Sequence, residues 1–112
     1  MTKDALADRN CVPCNGDTPP LGTDRVAALM EELDGWALES GGTVICRRFA
    51  FKGFAKAVEM ANLAAWLGNR QDHHPDITFG WGYCEVRFTT HAAHGLTEND
   101  FICAARLDAL LA

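Results

Sequence analysis

His73, His74 and His91, with Asp100 a short way beyond, are the residues of this sequence best suited to proton chemistry. Imidazole accepts a proton when neutral and gives one when charged, both near pH 7. A carboxylate beside it can orient the ring or keep it charged. All four histidines and one of the three tryptophans, Trp81, fall within residues 69–100. A histidine trio can also ligate zinc or copper. Adjacent His73 and His74 point in different directions when extended, which makes joint ligation awkward, so no metal is expected. Asp100 has a plain alternative, accepting backbone amides in the first turn of a helix. His94 reads as an exposed loop residue without a role. Cys11-Val12-Pro13-Cys14 is a C-x-x-C pair, but no second ligand pair follows at a zinc-site spacing. It is read as without chemistry in the isolated domain, with a partner-binding or two-chain metal clip as the alternative.

The elements that must position these residues follow from periodicity and turn signals. Residues 1–22 carry Pro13, Gly16, Pro19, Pro20 and Gly22 and read as a flexible arm; residues 23–112 read as the domain. Thr23 or Asp24 caps a helix to about Leu33, with Val26, Leu29, Met30 and Leu33 at helical spacing. Trp36–Glu39 and Val44–Phe51 are strands joined through Ser40-Gly41-Gly42. Arg47 interrupts the apolar face of the second strand. A long helix runs from Phe54 to about Gly68 with two apolar stripes, a surface wide enough to cover a sheet and also meet a second copy of the chain.

Pro75 then forbids further helix and extends His74. Ile77 to Trp81 and Tyr83 to Thr90 follow as strands; in the latter, Cys84, Val86 and Phe88 alternate with Glu85, Arg87 and Thr89. Thr97-Glu98-Asn99-Asp100 resembles a capping box opening a last helix, Glu98 to Leu111. The order helix, two strands, helix, two strands, helix predicts an α+β fold, a four-stranded antiparallel sheet with helices on one face.

Bulk properties narrow the setting. The chain has 112 residues, of which 48% are apolar, which suits one folded domain. A formal charge of −5 disfavours nucleic acid and anionic membrane as partners. Five cysteines in a chain of this size suit reduced thiols, and the segment holding Asp4 and Asp8 lacks a secretion signal's apolar stretch. A cytoplasmic location is expected.

The spacing carries a resemblance. His73-His74-Pro75, five residues, Trp81, nine residues, His91, eight residues and Asp100 together resemble the signature of pterin-4a-carbinolamine dehydratases, also known as dimerisation cofactors of a homeodomain transcription factor. Arg47-Arg48-Phe49-Ala50-Phe51, Thr90-His91 and Gly95-Leu96-Thr97 extend the likeness from about Trp36 to the C-terminus.

The resemblance implies the α+β sandwich in dimers or tetramers, and removal of water from a 4a-hydroxytetrahydropterin to give the quinonoid dihydropterin, with no metal or cofactor required. It implies that His73 and His91 move protons at the two faces of the pterin while His74 holds the ring. Trp36, Trp81 and Asp100 are then the expected substrate-binding set, the tryptophans as walls and Asp100 also orienting an imidazole. Some relatives resemble RuBisCO assembly factors of alpha-carboxysomes, so an inactive, protein-binding relative is the alternative. Asn69 stands where the family pattern usually has a titratable side chain, and an amide cannot titrate.

Overall fold

Two hairpins build the sheet. β1 (Ala37–Glu39) pairs antiparallel with β2 (Val44–Ala50), and β3 (Asp76–Gly80) pairs antiparallel with β4 (Tyr83–Phe88). β2 and β4 join the hairpins in the order β1-β2-β4-β3. With α1 (Thr23–Met30), α2 (Phe54–Gln71) and α3 (Glu98–Leu111), the chain has the predicted α-β-β-α-β-β-α order. The computed structural model describes residues 5–111.

One face of the sheet is buried by helices. Cys84, Val86 and Phe88 of β4 have no exposed surface and meet Met60, Ala64 and Leu67 of α2 and Phe101, Ile102 and Leu107 of α3. Each such fully buried large apolar side chain contributes about 1.5–3 kcal/mol relative to exposure. The alternate residues carry ion pairs on the other face, Arg87 with Glu39 at 3.0 Å and with Glu85 at 3.3 Å. Arg47, the anomaly on the apolar side of β2, reaches the Asp108 carboxylate of α3 at 2.7 Å. Trp36 Nε1 donates to the same carboxylate at 3.0 Å.

Several boundaries differ from expectation. α1 stops at Met30, because Glu32 and Leu33 turn back on Leu29 and Met30 by tighter hydrogen bonds. α2 continues to Gln71, a turn past Gly68. β2, β3 and β4 end one or two residues earlier than predicted, and Trp36 precedes β1. Of the arm expected over residues 1–22, residues 1–4 lie outside the described residues. The remainder lies along α3: Leu6 is 4% exposed within the core, and Arg106 Nη1 donates to the Ala7 carbonyl at 2.8 Å. Leu21 N donates to the Leu96 carbonyl, also at 2.8 Å.

Candidate active site

The end of α2 aims the histidine pair. His73 N bonds the Gly68 carbonyl at 3.0 Å and Asp72 N the Asn69 carbonyl at 3.4 Å, with Asp72 left-handed at φ 52°, ψ 40°. This is the Schellman closure, which satisfies the last helical carbonyls and reverses the chain. The reversed segment is pressed against the helix it has just left. A Cβ on Gly68 would lie 2.7 Å from Pro75 Cδ, so glycine is there to admit His73-His74-Pro75 rather than to stop the helix.

α3 supplies the carboxylate beneath the site. Asp100, with no exposed surface, accepts from Thr97 N at 2.9 Å and from Thr90 Oγ1 at 2.8 Å, both on Oδ2. Its Oδ1 lies 2.5 Å from His73 Nε2. Half of the expected capping box is therefore present. The other half is diverted, since Thr97 Oγ1 pairs with Thr90 Oγ1 at 2.8 Å. Thr90 spends its single proton on Asp100, so Thr97 must donate to Thr90. The buried carboxylate thus receives three hydrogen bonds, one of them from the imidazole, and does both jobs that the sequence left open.

This environment sets the charge of His73. Burial pulls its pKa down, while the hydrogen bond and negative charge of Asp100 push it up and prevail, so the pKa lies above its ordinary value of 6.5. Phe88 lies nearly parallel to the imidazole, ring centroids 6.3 Å apart. With Nε2 committed to Asp100, Nδ1 is the nitrogen left for a ligand, an assignment inferred from the hydrogen bonding.

His91 arrives from the other side. It opens a short 3-10 turn, His91–Ala93, after β4. The turn is closed by reciprocal backbone bonds between Thr90 and Gly95, at 3.1 and 3.4 Å. His73, His74, His91, Asp72 and Thr90 line one cavity of about 230 Å³. His74 is exposed, its Nε2 3.1 Å from Asn69 Oδ1. A larger hollow, about 330 Å³ among Trp66, Arg70, Arg106 and the arm, holds no group that titrates near neutrality.

The three histidines and Asp100 are therefore brought together, and the tryptophans are not. Trp81 is 73% exposed in the turn joining β3 to β4. His74 and His91 belong to the opposite end of that hairpin, about 17 Å away for five residues of strand. Trp36 is buried against Phe88, centroids 5.8 Å apart, behind the ring that carries His73. Neither lines the cavity. Asp100, expected alongside them as a substrate contact, is wholly buried, is not among the residues lining the cavity, and bonds His73. Phe88 and Thr90 were not singled out for the site. Thr90 had only its place beside His91 as a signal, and Phe88 reads as ordinary core.

The Pterin 4 alpha carbinolamine dehydratase family model matches residues 19–110. The chain belongs to this family. Proteins named for pterin-4-alpha-carbinolamine dehydratase are similar to it over nearly their whole length. One from Nitrosospira multiformis is 48% identical, covering 97% of this chain and 95% of its own. Another, from Nitrosomonas eutropha, is 46% identical, with 95% and 93% covered. Among solved structures, a transcriptional coactivator/pterin dehydratase from Brucella melitensis superposes with a TM-score of 0.76 at 30% identity, covering 83% of this chain and 99% of that one. A pterin dehydratase-like protein identified as a RuBisCO assembly factor in the alpha-carboxysome gives 0.57 at 27% identity, covering 69% and 89%. No helix among the described residues is long and apolar enough to cross a membrane.

Proposed function

We propose that this family member dehydrates a 4a-hydroxytetrahydropterin to the quinonoid dihydropterin by histidine acid–base catalysis. The observation that carries the reading is His73, hydrogen-bonded to a buried carboxylate and facing the same cavity as His91. The reaction breaks the C4a–O bond and removes the proton from N5. His73, held as imidazolium by Asp100, gives its Nδ1 proton to the departing hydroxyl, which leaves as water. His91 takes the N5 proton, and the N5–H electron pair becomes the new C=N bond. His74, at the rim, holds the ring. General acid and base contribute about 10²–10⁴-fold each in well-placed sites.

Stopped-flow measurement of carbinolamine loss tests this. The chain should accelerate dehydration, and His73→Ala or His91→Ala should remove that acceleration; an inert wild-type protein would refute the reading.

The likeness to the RuBisCO assembly factor supports a second, weaker reading, in which the chain assists RuBisCO assembly in a carboxysome. That reading demands a changed yield of assembled RuBisCO in the presence of this protein and no effect on the pterin. Under either reading the chain is a homodimer or homotetramer. One stripe of α2 faces the core, while Phe54 is exposed and contacts Phe79 of edge strand β3, ring centroids 6.0 Å apart. A monomeric mass by light scattering would overturn the oligomer.

A further inference from the structure

The cavity has a wall that lies outside the family's matched residues. Val12 and Cys14, from the C-x-x-C segment, line it together with the three histidines. They are held there by Asn99, which is 4% exposed and immediately precedes Asp100 in α3. Asn99 Nδ2 donates to the Val12 carbonyl at 2.6 Å, and Val12 N donates to Asn99 Oδ1 at 3.0 Å. The side-chain amide thereby copies one step of a β-ladder, and both partners fix which end is oxygen. Asn99 Nδ2 also lies 3.2 Å from Cys14 Sγ.

A second tie comes from the other site-bearing helix. Cys11 N donates to Gln71 Oε1 at 2.8 Å, at the last residue of α2 before the reversal into His73. The segment is thus clamped to the two elements that position His73.

We propose that residues 11–14 form a fixed wall of the pterin cavity and that Asn99 is the positioning residue that holds it. The inference rests on the dehydratase reading. Adjacent residues of α3 then divide the labour, Asp100 fixing the acid and Asn99 the opposite boundary of the substrate space. Val12 and Asn99 carry no titratable group, and proton transfer in the dehydratase reading is already assigned to His73 and His91, so the wall acts on binding.

The test compares the full-length wild type with Asn99→Ala and Cys14→Phe, by steady-state dehydration and by iodoacetamide labelling of Cys14 read by peptide mass spectrometry. Loss of two hydrogen bonds at the latch should raise KM roughly 5- to 50-fold with kcat within about twofold. Cys14 labelling should quicken in Asn99→Ala. Oxidised biopterin should protect Cys14 in the wild type and protect it poorly in Asn99→Ala. Cys14→Phe leaves α3 intact and should raise KM by filling the cavity, which keeps the proposal testable if Asn99→Ala does not fold. An active wild type whose Cys14 is not protected, or variants with unchanged KM, would overturn the wall alone. An inactive wild type would overturn the dehydratase reading and the wall with it.

Discussion

Replacing Asp100 by asparagine changes almost no volume and reverses one hydrogen bond. Thr97 N–H is a fixed donor to Oδ2, so the oxygen of the introduced amide must occupy that position. The NH2 group then faces His73 Nε2, where the carboxylate Oδ1 had been. An amide donor can bond Nε2 only when that nitrogen is unprotonated, so the neutral ring is favoured and the imidazolium opposed. Burial, the largest single influence, still disfavours the charge, and only the weaker pulls of Cys11 and Asp72 remain against it, so the pKa of His73 should fall from above its ordinary 6.5 to below it. A hydrogen bond to a charged group is worth about 1.5–3 kcal/mol, which lowers the imidazolium-to-neutral ratio roughly 10- to 100-fold at fixed pH.

If His73 is the acid, kcat for carbinolamine dehydration at pH 7.5 should fall by a similar factor. The alkaline limb of the pH profile should move to lower pH. Stopped-flow rates across the neutral range, with an NMR titration of His73, measure both. An unmoved limb with kcat within twofold would show that Asp100 does not govern the charge of His73. A variant faster than wild type at neutral pH would reverse the acid and base assignments.

Two further outcomes follow from the same geometry. Because the folded-state pKa of His73 is raised, its stabilising contribution is fully present below the unfolded value of 6.5 and is lost as pH rises through the folded value. In urea unfolding, the stability gap between wild type and His73→Gln should therefore be widest below pH 6.5 and narrow above it; a gap that widens with pH would contradict this. Gly68→Ala should improve helix propensity by roughly 1 kcal/mol yet push Pro75 and the histidine pair off the helix. It should raise KM and lower kcat together with little gain in melting temperature, and an unchanged KM would show that the contact with Pro75 is easily relieved.

The sequence announced the fold through patterns that burial on one side imposes. β4 alternates because Cys84, Val86 and Phe88 meet helices while Glu85 and Arg87 do not. The anomaly at Arg47 was visible too, but not its cause, since Asp108 lies 61 residues away and has no periodic signature. The helical pattern fades at about Gly68, but the reason for a glycine there, room for Pro75, depends on where the chain goes next. His73, His91 and Asp100 could be grouped by motif spacing alone. The resemblance groups Trp36 and Trp81 with them, and the topology sets them apart, one packed on Phe88 and one at the far end of a hairpin. The C-x-x-C pair was conspicuous while Asn99, which gives the pair its place, was not.

The same distinction between exposed and buried groups bears on Asn69. Its amide oxygen lies 3.1 Å from His74 Nε2, and both residues are exposed. A carboxylate in that place would form an ion pair in water, worth at most about 1 kcal/mol and weakened by salt. The amide retains the orienting hydrogen bond and loses only that small bias. The pair that sets a proton, His73 with Asp100, is shielded: the side chains are 10% and 0% exposed, and Thr90 and Thr97 complete the carboxylate's hydrogen bonds. Asn69 thus lacks a titratable group at a place where water would blunt one, while the acid proposed to do the chemistry has its whole support. On this argument the departure at position 69 gives no physical reason to prefer a purely protein-binding role.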